Sequence, residues 1–131
     1  MKKHRCFGDF IILTTIPHIL SLYYTVDDIY YTTIIAMATI SSFSWHKTHE
    51  SCKKLLVIDY FCAGMLCSYE VYRNEDKLVT IQMNATLLFI NKLMDFLSKY
   101  KILKYGIGHC IFHIISCCKT YYMAKKICSN F

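Results

Sequence analysis

The chain of 131 residues suits a single domain, 1–131, and is apolar for a soluble protein, with 55% hydrophobic and 18% charged residues and a mean hydropathy of +0.31. Soluble domains carry about 25% charged residues, so the composition favours an integral membrane protein. The formal net charge is +6, but Lys and Arg cluster at the ends of apolar segments. This placement argues against a nucleic acid as the partner and indicates a lipid bilayer.

Charged residues divide the chain into five apolar segments, most of them close to the length of about 20 residues that a helix needs to cross a bilayer. The segments cover residues 10–26, 29–45, 55–72, 78–97 and 105–123. Tyrosines at several of their ends match the aromatic belt of membrane interfaces. The sequence therefore predicts an all-α fold, a polytopic transmembrane helix bundle of about five spans. A soluble all-helical core is the alternative.

Basic residues predict the orientation of this bundle. The N-terminal "KKHR", the turn "HKTHESCKK" after the second segment and "KYKILK" after the fourth are basic. The turn after the first segment carries only Asp27 and Asp28. Because Lys and Arg favour the cytoplasmic side, we expect a multi-pass integral membrane protein with a cytoplasmic N-terminus.

The eight cysteines do not resemble a disulfide scaffold. Most lie inside apolar segments, where a free Cys behaves as a small hydrophobic residue. The sequence contains no C-x-x-C pair, which disfavours a thiolate zinc site or a redox motif. We expect reduced thiols.

Five polar residues fall at a similar depth near the cytoplasmic ends of three segments. Ser42 and His46 stand four residues apart in the second segment, Asp59 lies one turn into the third, and His109 and His113 stand four apart in the fifth. Residues four apart share a helix face, and ionisable residues inside a span usually mark function. We therefore predict that these side chains converge on one site.

Three imidazoles and one open position are the pattern of catalytic zinc, which lowers the pKa of its water to about 7. His46, His109 and His113 are the candidate ligands. Asp59 would hydrogen-bond that water as a general base, and Ser42 would steady it or polarise a substrate carbonyl.

Other interpretations of the same residues remain open. The histidines of the last segment could be hydrogen-bonded packing residues, and Asp59 could pair at the interface with Lys53 or Lys54. A haem held between His46 and a histidine of the last segment is a further possibility.

Five more polar residues are expected outside the site. We interpret His18 as a packing residue, His49 and Glu50 as solvated loop, and Lys92 and Asp95 as an interfacial pair.

At these residues the chain resembles the CREST superfamily, which unites the alkaline ceramidases, the progestin and adipoQ receptors with the hemolysin III-like proteins, and the Per1-type membrane proteins. The shared pattern is S-x-x-x-H late in the second helix, an Asp at the start of the third and H-x-x-x-H early in the last. Here it stands as "SFSWH", "VIDYFCAGM" and "HCIFH". The resemblance covers about residues 28–72 and 104–120.

The resemblance implies a zinc ion on His46, His109 and His113, with Asp59 orienting a water molecule and Ser42 supporting it. Characterised members hydrolyse lipid amides such as ceramides, so it also implies a zinc-dependent hydrolase acting on a lipid amide or ester. Members of the family have seven spans. This chain has room for five, and the loss of two between the third and the last preserves the orientation of the helices that carry the motifs.

A second functional interpretation stays open beside the enzyme. In it the His, Asp and Ser residues hold a structural metal or a polar network in a non-catalytic membrane protein, which could form a homo-oligomer.

Overall fold

A computed structural model describes residues 5–48 and 50–129, with side chains from residue 10 onward. This part of the chain is all-helical and contains no strand. Its elements are α1 (Arg5–Thr15), a 3-10 helix (Ile16–Ser21), α2 (Leu22–Thr25), α3 (Ile29–Lys47), α4 (Lys53–Arg73), α5 (Lys77–Lys99) and α6 (Tyr105–Cys128). The prediction of an all-α fold is confirmed, and each of the five predicted apolar segments lies on a helical stretch.

Local sequence explains where several of these helices begin. Asp28 accepts a hydrogen bond from the backbone N–H of Tyr31 at 3.0 Å, and Asp76 accepts one from Val79 at 3.3 Å. Each carboxylate thereby caps a free N–H at a helix start. The first segment changes from α to 3-10 geometry at Pro17, because proline lacks the N–H that an α-helix interior requires.

Helix α6 is the most buried helix of the fold and packs against α5, α4 and the N-terminal helical segment. Helix α3 packs mainly against α4 and α1. Apolar side chains of α3, α4 and α6 form the core, namely Tyr31, Ile35, Leu66, Met123, Ala124 and Ile127. At the other end of α6, a Cβ on Gly108 would lie 3.1 Å from Leu103 and 3.2 Å from Met94. The absence of a side chain at Gly108 thus lets α6 approach α5 closely beside His109.

A buried ion pair lies beside this apolar core. Lys119 of α6 contacts the carboxylate of Glu70 on α4, and the hydroxyl of Tyr31 on α3 donates to the same carboxylate at 3.2 Å. Glu70 and Tyr31 are both 0% exposed. This polar contact therefore joins three helices where water cannot replace it.

The prediction of about five membrane spans is not confirmed. Among the helices of residues 5–48 and 50–129, α4 alone has the length and composition of a spanning helix, with a mean hydropathy of 1.3. The apolar stretch Phe10–Thr25 is shorter. Ser, Thr and Tyr side chains dilute the apolar character of α3, and charged side chains that of α5. By length and composition the structure is thus a helical protein with one candidate span.

The buried ion pair gives a stability prediction. Replacing Lys119 by Met leaves the Glu70 carboxylate buried without its cation, so we expect a loss of about 3–5 kcal/mol in the free energy of unfolding. Adding Glu70→Gln to Lys119→Met should restore most of it. Denaturant unfolding of the detergent-purified protein measures both.

Lys92→Met is the matched control, because Lys92 pairs with Asp95 at 3.9 Å on the exposed surface. Exposed pairs contribute about 0–1 kcal/mol. Equal losses from Lys119→Met and Lys92→Met would contradict a stabilising role of the buried pair.

Candidate metal centre

Three histidine side chains from two helices meet at one point. His46 lies near the end of α3, and His109 and His113 lie one turn apart near the start of α6. Nε2 of His46 is 3.0 Å from Nε2 of His113 and 3.3 Å from Nε2 of His109. His46 and His113 are buried and His109 is half-buried. The structure therefore brings together the three histidines that the sequence pattern predicted to converge.

The spacing of these nitrogens fits a metal ion. One ligand atom from each histidine lies within 4.8 Å of the others. Two nitrogens bound tetrahedrally to one zinc ion at 2.0–2.1 Å are about 3.3–3.4 Å apart. The 3.3 Å separation matches this value and the 3.0 Å separation is a few tenths of an ångström shorter, so a small outward movement of the rings would seat an ion. The buried group of His46, His109 and His113 can hold a metal ion.

The same spacing disfavours a haem. Two imidazole nitrogens that bind one haem iron from opposite faces are roughly 4 Å apart, since each bond is about 2 Å long. Nε2 of His46 and Nε2 of His113 are only 3.0 Å apart.

Glu50 lies in the loop after α3, as predicted, but its carboxylate contacts the histidine cluster, so the expectation that it lies outside the site is wrong. Oε1 of Glu50 lies 3.1 Å from Nδ1 of His46. The hydroxyl of Tyr105 donates to both carboxylate oxygens, at 3.1 and 2.9 Å. Glu50 has a positive φ of 59°, which reverses the chain after α3 and returns the carboxylate towards His46. His49, which was also assigned to this loop, lies outside the described residues.

These hydrogen bonds decide the charge state of Glu50. Burial by itself would raise the pKa of the carboxyl, but the hydrogen bonds from His46 and Tyr105 outweigh burial and lower that pKa. Glu50 is therefore an anion at neutral pH. An anion accepts and does not donate, so it fixes the proton of His46 on Nδ1 and leaves the Nε2 lone pair facing the other two imidazoles.

Asp59 lies on α4 beside the cluster, close enough to His46 for a Coulombic interaction. The hydroxyl of Ser41 donates to its Oδ1 at 3.4 Å. The ion pairs found among the described residues do not include one between Asp59 and Lys53 or Lys54. Ser42 is half-buried, and its supporting role stays a prediction.

Sequence reasoning missed three contacts around the site, those of Ser41, Glu50 and Tyr105. For Glu50, the signal in the sequence was its position four residues after His46. Tyr105 begins α6, and its ring stacks on His109 with 5.2 Å between centroids. Its position one turn before His109 was visible, but its bond to a loop 55 residues earlier was not.

Other polar residues lie where their patterns indicated. His18 is buried against α6, with Nδ1 2.9 Å from the Sγ of Cys117 and 3.3 Å from the carbonyl of Thr15. Lys92 and Asp95 form an exposed pair at 3.9 Å. The described cysteines from Cys52 onward are free thiols.

The fold and the site define an all-helical protein with a candidate three-histidine metal centre. No protein-family model, curated protein or solved structure matches the chain.

Metal binding should depend on each of the three histidines. We expect about one zinc ion per chain, and its loss in His46→Ala, His109→Ala and His113→Ala. At a free concentration 100 times its Kd, the metal should stabilise the protein by about 2.7 kcal/mol. Affinity should fall as the pH is lowered, because protonated imidazoles cannot bind a metal. Metal analysis and thermal unfolding measure these effects.

His18→Ala is the control, since it removes a buried imidazole outside the cluster. It should lower stability and leave the metal content unchanged. A wild-type protein without bound metal after zinc loading would contradict the assignment.

Proposed function

We propose that the protein is a multi-pass membrane protein that binds zinc at His46, His109 and His113 and hydrolyses a lipid amide, ceramide-like, or a lipid ester. The observation that carries the proposal is the convergence of three imidazole nitrogens beside a carboxylate, with Nε2 separations from His46 of 3.0 and 3.3 Å. Three histidines with space for water are typical of hydrolytic zinc sites.

Exposed apolar surface supports the membrane location. Only 17% of the apolar stretch of α4 is buried within the protein, unlike a helix at the core of a soluble fold. Large apolar side chains also point outward on the neighbouring helix α5, where Phe89 is 66% exposed. Contiguous apolar surface of this kind marks contact with a partner or a membrane. A lipid bilayer would cover it on all the outer helices at once.

The side chains of the site have separate tasks in this proposal. A bound zinc ion supplies a Lewis acid and lowers the pKa of a water molecule to about 7. His46 and the two histidines of α6 hold the ion from two helices. Asp59 would accept the proton of the water that attacks the carbonyl carbon, and would pass it to the amine or alcohol that is released when the C–N or C–O bond breaks. Ser41 donates to Asp59 and so orients the carboxylate.

The sequence resemblance supports the choice of substrate class. "SFSWH", "VIDYFCAGM" and "HCIFH" resemble the motifs of the CREST superfamily, whose characterised members hydrolyse lipid amides. In this chain the three histidines of these motifs lie together in space.

A structural metal is the second candidate function. The metal would join α3 to α6, and both helices contribute side chains to the apolar core, Tyr31 from α3 and Met123 from α6. In this alternative the ion tightens the bundle without turnover, and association of copies completes it.

The multi-pass proposal predicts alternating sides for the loops. A reporter that is active only outside the cytoplasm should be active when fused after Asp28 and inactive when fused after Thr48. It should be active again after Asn74. A reporter that is active at all three junctions, or inactive at all three, would exclude a multi-pass arrangement.

Hydrolysis should require Asp59 separately from the metal. Asp59→Asn should keep the zinc and lower turnover about 10²–10⁴-fold, the usual contribution of a general base. His113→Ala should lose both zinc and turnover. Release of fatty acid from ceramide-like amides and from lipid esters by the purified protein measures the rate.

Asp27→Asn is the matched control, because Asp27 is exposed and lies just before α3, at the opposite end of that helix from His46. Its turnover should equal that of the wild type. A zinc-loaded wild type that hydrolyses neither substrate class would favour the structural candidate.

A further inference from the structure

We infer that Glu50 is the positioning residue of the metal centre, held in place by Tyr105, and that together they set metal affinity through His46. The inference rests on the proposed metal site and adds the residues that orient it. Histidines that bind metals commonly donate their second ring N–H to a carboxylate, which fixes the tautomer and makes the ligating nitrogen more basic. Neither Glu50 nor Tyr105 belongs to the motifs that led to the site.

The contacts of His46 give Glu50 this position. His46 is 2% exposed, so water cannot satisfy its Nδ1–H. That atom lies 3.1 Å from Oε1 of Glu50, while Nε2 faces His109 and His113. The carboxylate thus binds the side of the ring opposite the candidate metal position.

Tyr105 holds the carboxylate from the second helix. Its hydroxyl donates to both oxygens of Glu50, and its ring stacks on His109 at an interplanar angle of 25°. Tyr105 therefore contacts the His46 side of the site through Glu50 and the α6 side directly. The short loop after α3 and the start of α6 are joined at the metal centre.

The backbone at Glu50 is an independent sign of this role. Its φ of 59° lies in the left-handed region, where residues with a Cβ are disfavoured and glycine is the usual choice. Glycine here would relieve the backbone and lose the carboxylate. The side chain of Glu50 thus serves a contact that the backbone conformation by itself opposes.

Glu50→Gly separates a structural role from a positioning role. Zn²⁺ binding to the detergent-purified protein, measured by competition with a chelating dye, should weaken about 10–100-fold. The melting temperature of the metal-free protein should fall only modestly, because relief of the left-handed backbone offsets part of the hydrogen bonding lost at the buried Nδ1 of His46. Glu50→Gln keeps an acceptor oxygen and should lose less affinity than Glu50→Gly. Tyr105→Phe keeps the stacked ring and should also lose less.

Lys101→Gly is the matched control, because Lys101 has the same left-handed conformation, with φ 58°, at an exposed position. Its Zn²⁺ affinity should equal that of the wild type. Unchanged Zn²⁺ affinity in Glu50→Gly, with a wild type that binds zinc, would overturn the inference.

The ¹⁵N shifts of the imidazoles in the metal-free protein give a readout that does not depend on zinc. His46 should carry its proton on Nδ1 in the wild type and lose this preference in Glu50→Gly. If the wild type fails to bind zinc but shows this tautomer change, the metal proposal fails and the hydrogen bond stands. If the tautomer is the same in both proteins, Glu50 does not position His46.

Discussion

Two buried polar contacts fix helix α6 along its axis, and the site depends on both. Lys119 binds Glu70 of α4, and His113 contacts His46 of α3 at 3.0 Å. The two residues of α6 are six positions apart, roughly 9 Å along the helix. Apolar packing tolerates sliding better than directional contacts do, since a displaced polar group is left buried and unpaired. A shift of α6 by one residue would break both contacts.

The sequence predicted much of the helical framework and little of the loop chemistry. Charged residues mark where the bilayer-length segments end, and α3 and α6 begin where the apolar runs begin, at Ile29 and Tyr105. The pairing of His46 with His109 and His113 followed from helix periodicity combined with topology. Glu50 was missed because its contact depends on a single left-handed residue, which leaves no periodic trace. The buried bond from Lys119 to Glu70 joins residues 49 positions apart, and hydropathy does not show which charges face each other.

The loop between α3 and α4 connects the framework to the site. It is short, so the ends of α3 and α4 stay adjacent, and Asp59 follows the loop by less than two turns of α4. Glu50 lies within it and binds His46, while Ser41 on α3 binds Asp59. This one loop therefore carries Glu50, which contacts His46, and leads into the turn of α4 that carries Asp59.

The number of ligands separates the two functional candidates. Structural zinc sites are closed by four protein ligands, whereas catalytic sites keep one position for water. Within residues 5–48 and 50–129 the group that could hold a metal ion consists of three histidines. Asp59 accepts a hydrogen bond from Ser41 and does not belong to that group. The carboxylate of Glu50 binds His46 and Tyr105, on the side of the His46 ring opposite the candidate metal position. A metal held by these three ligands and a water molecule would support the proposed hydrolysis, whereas a fourth protein ligand would support the structural candidate.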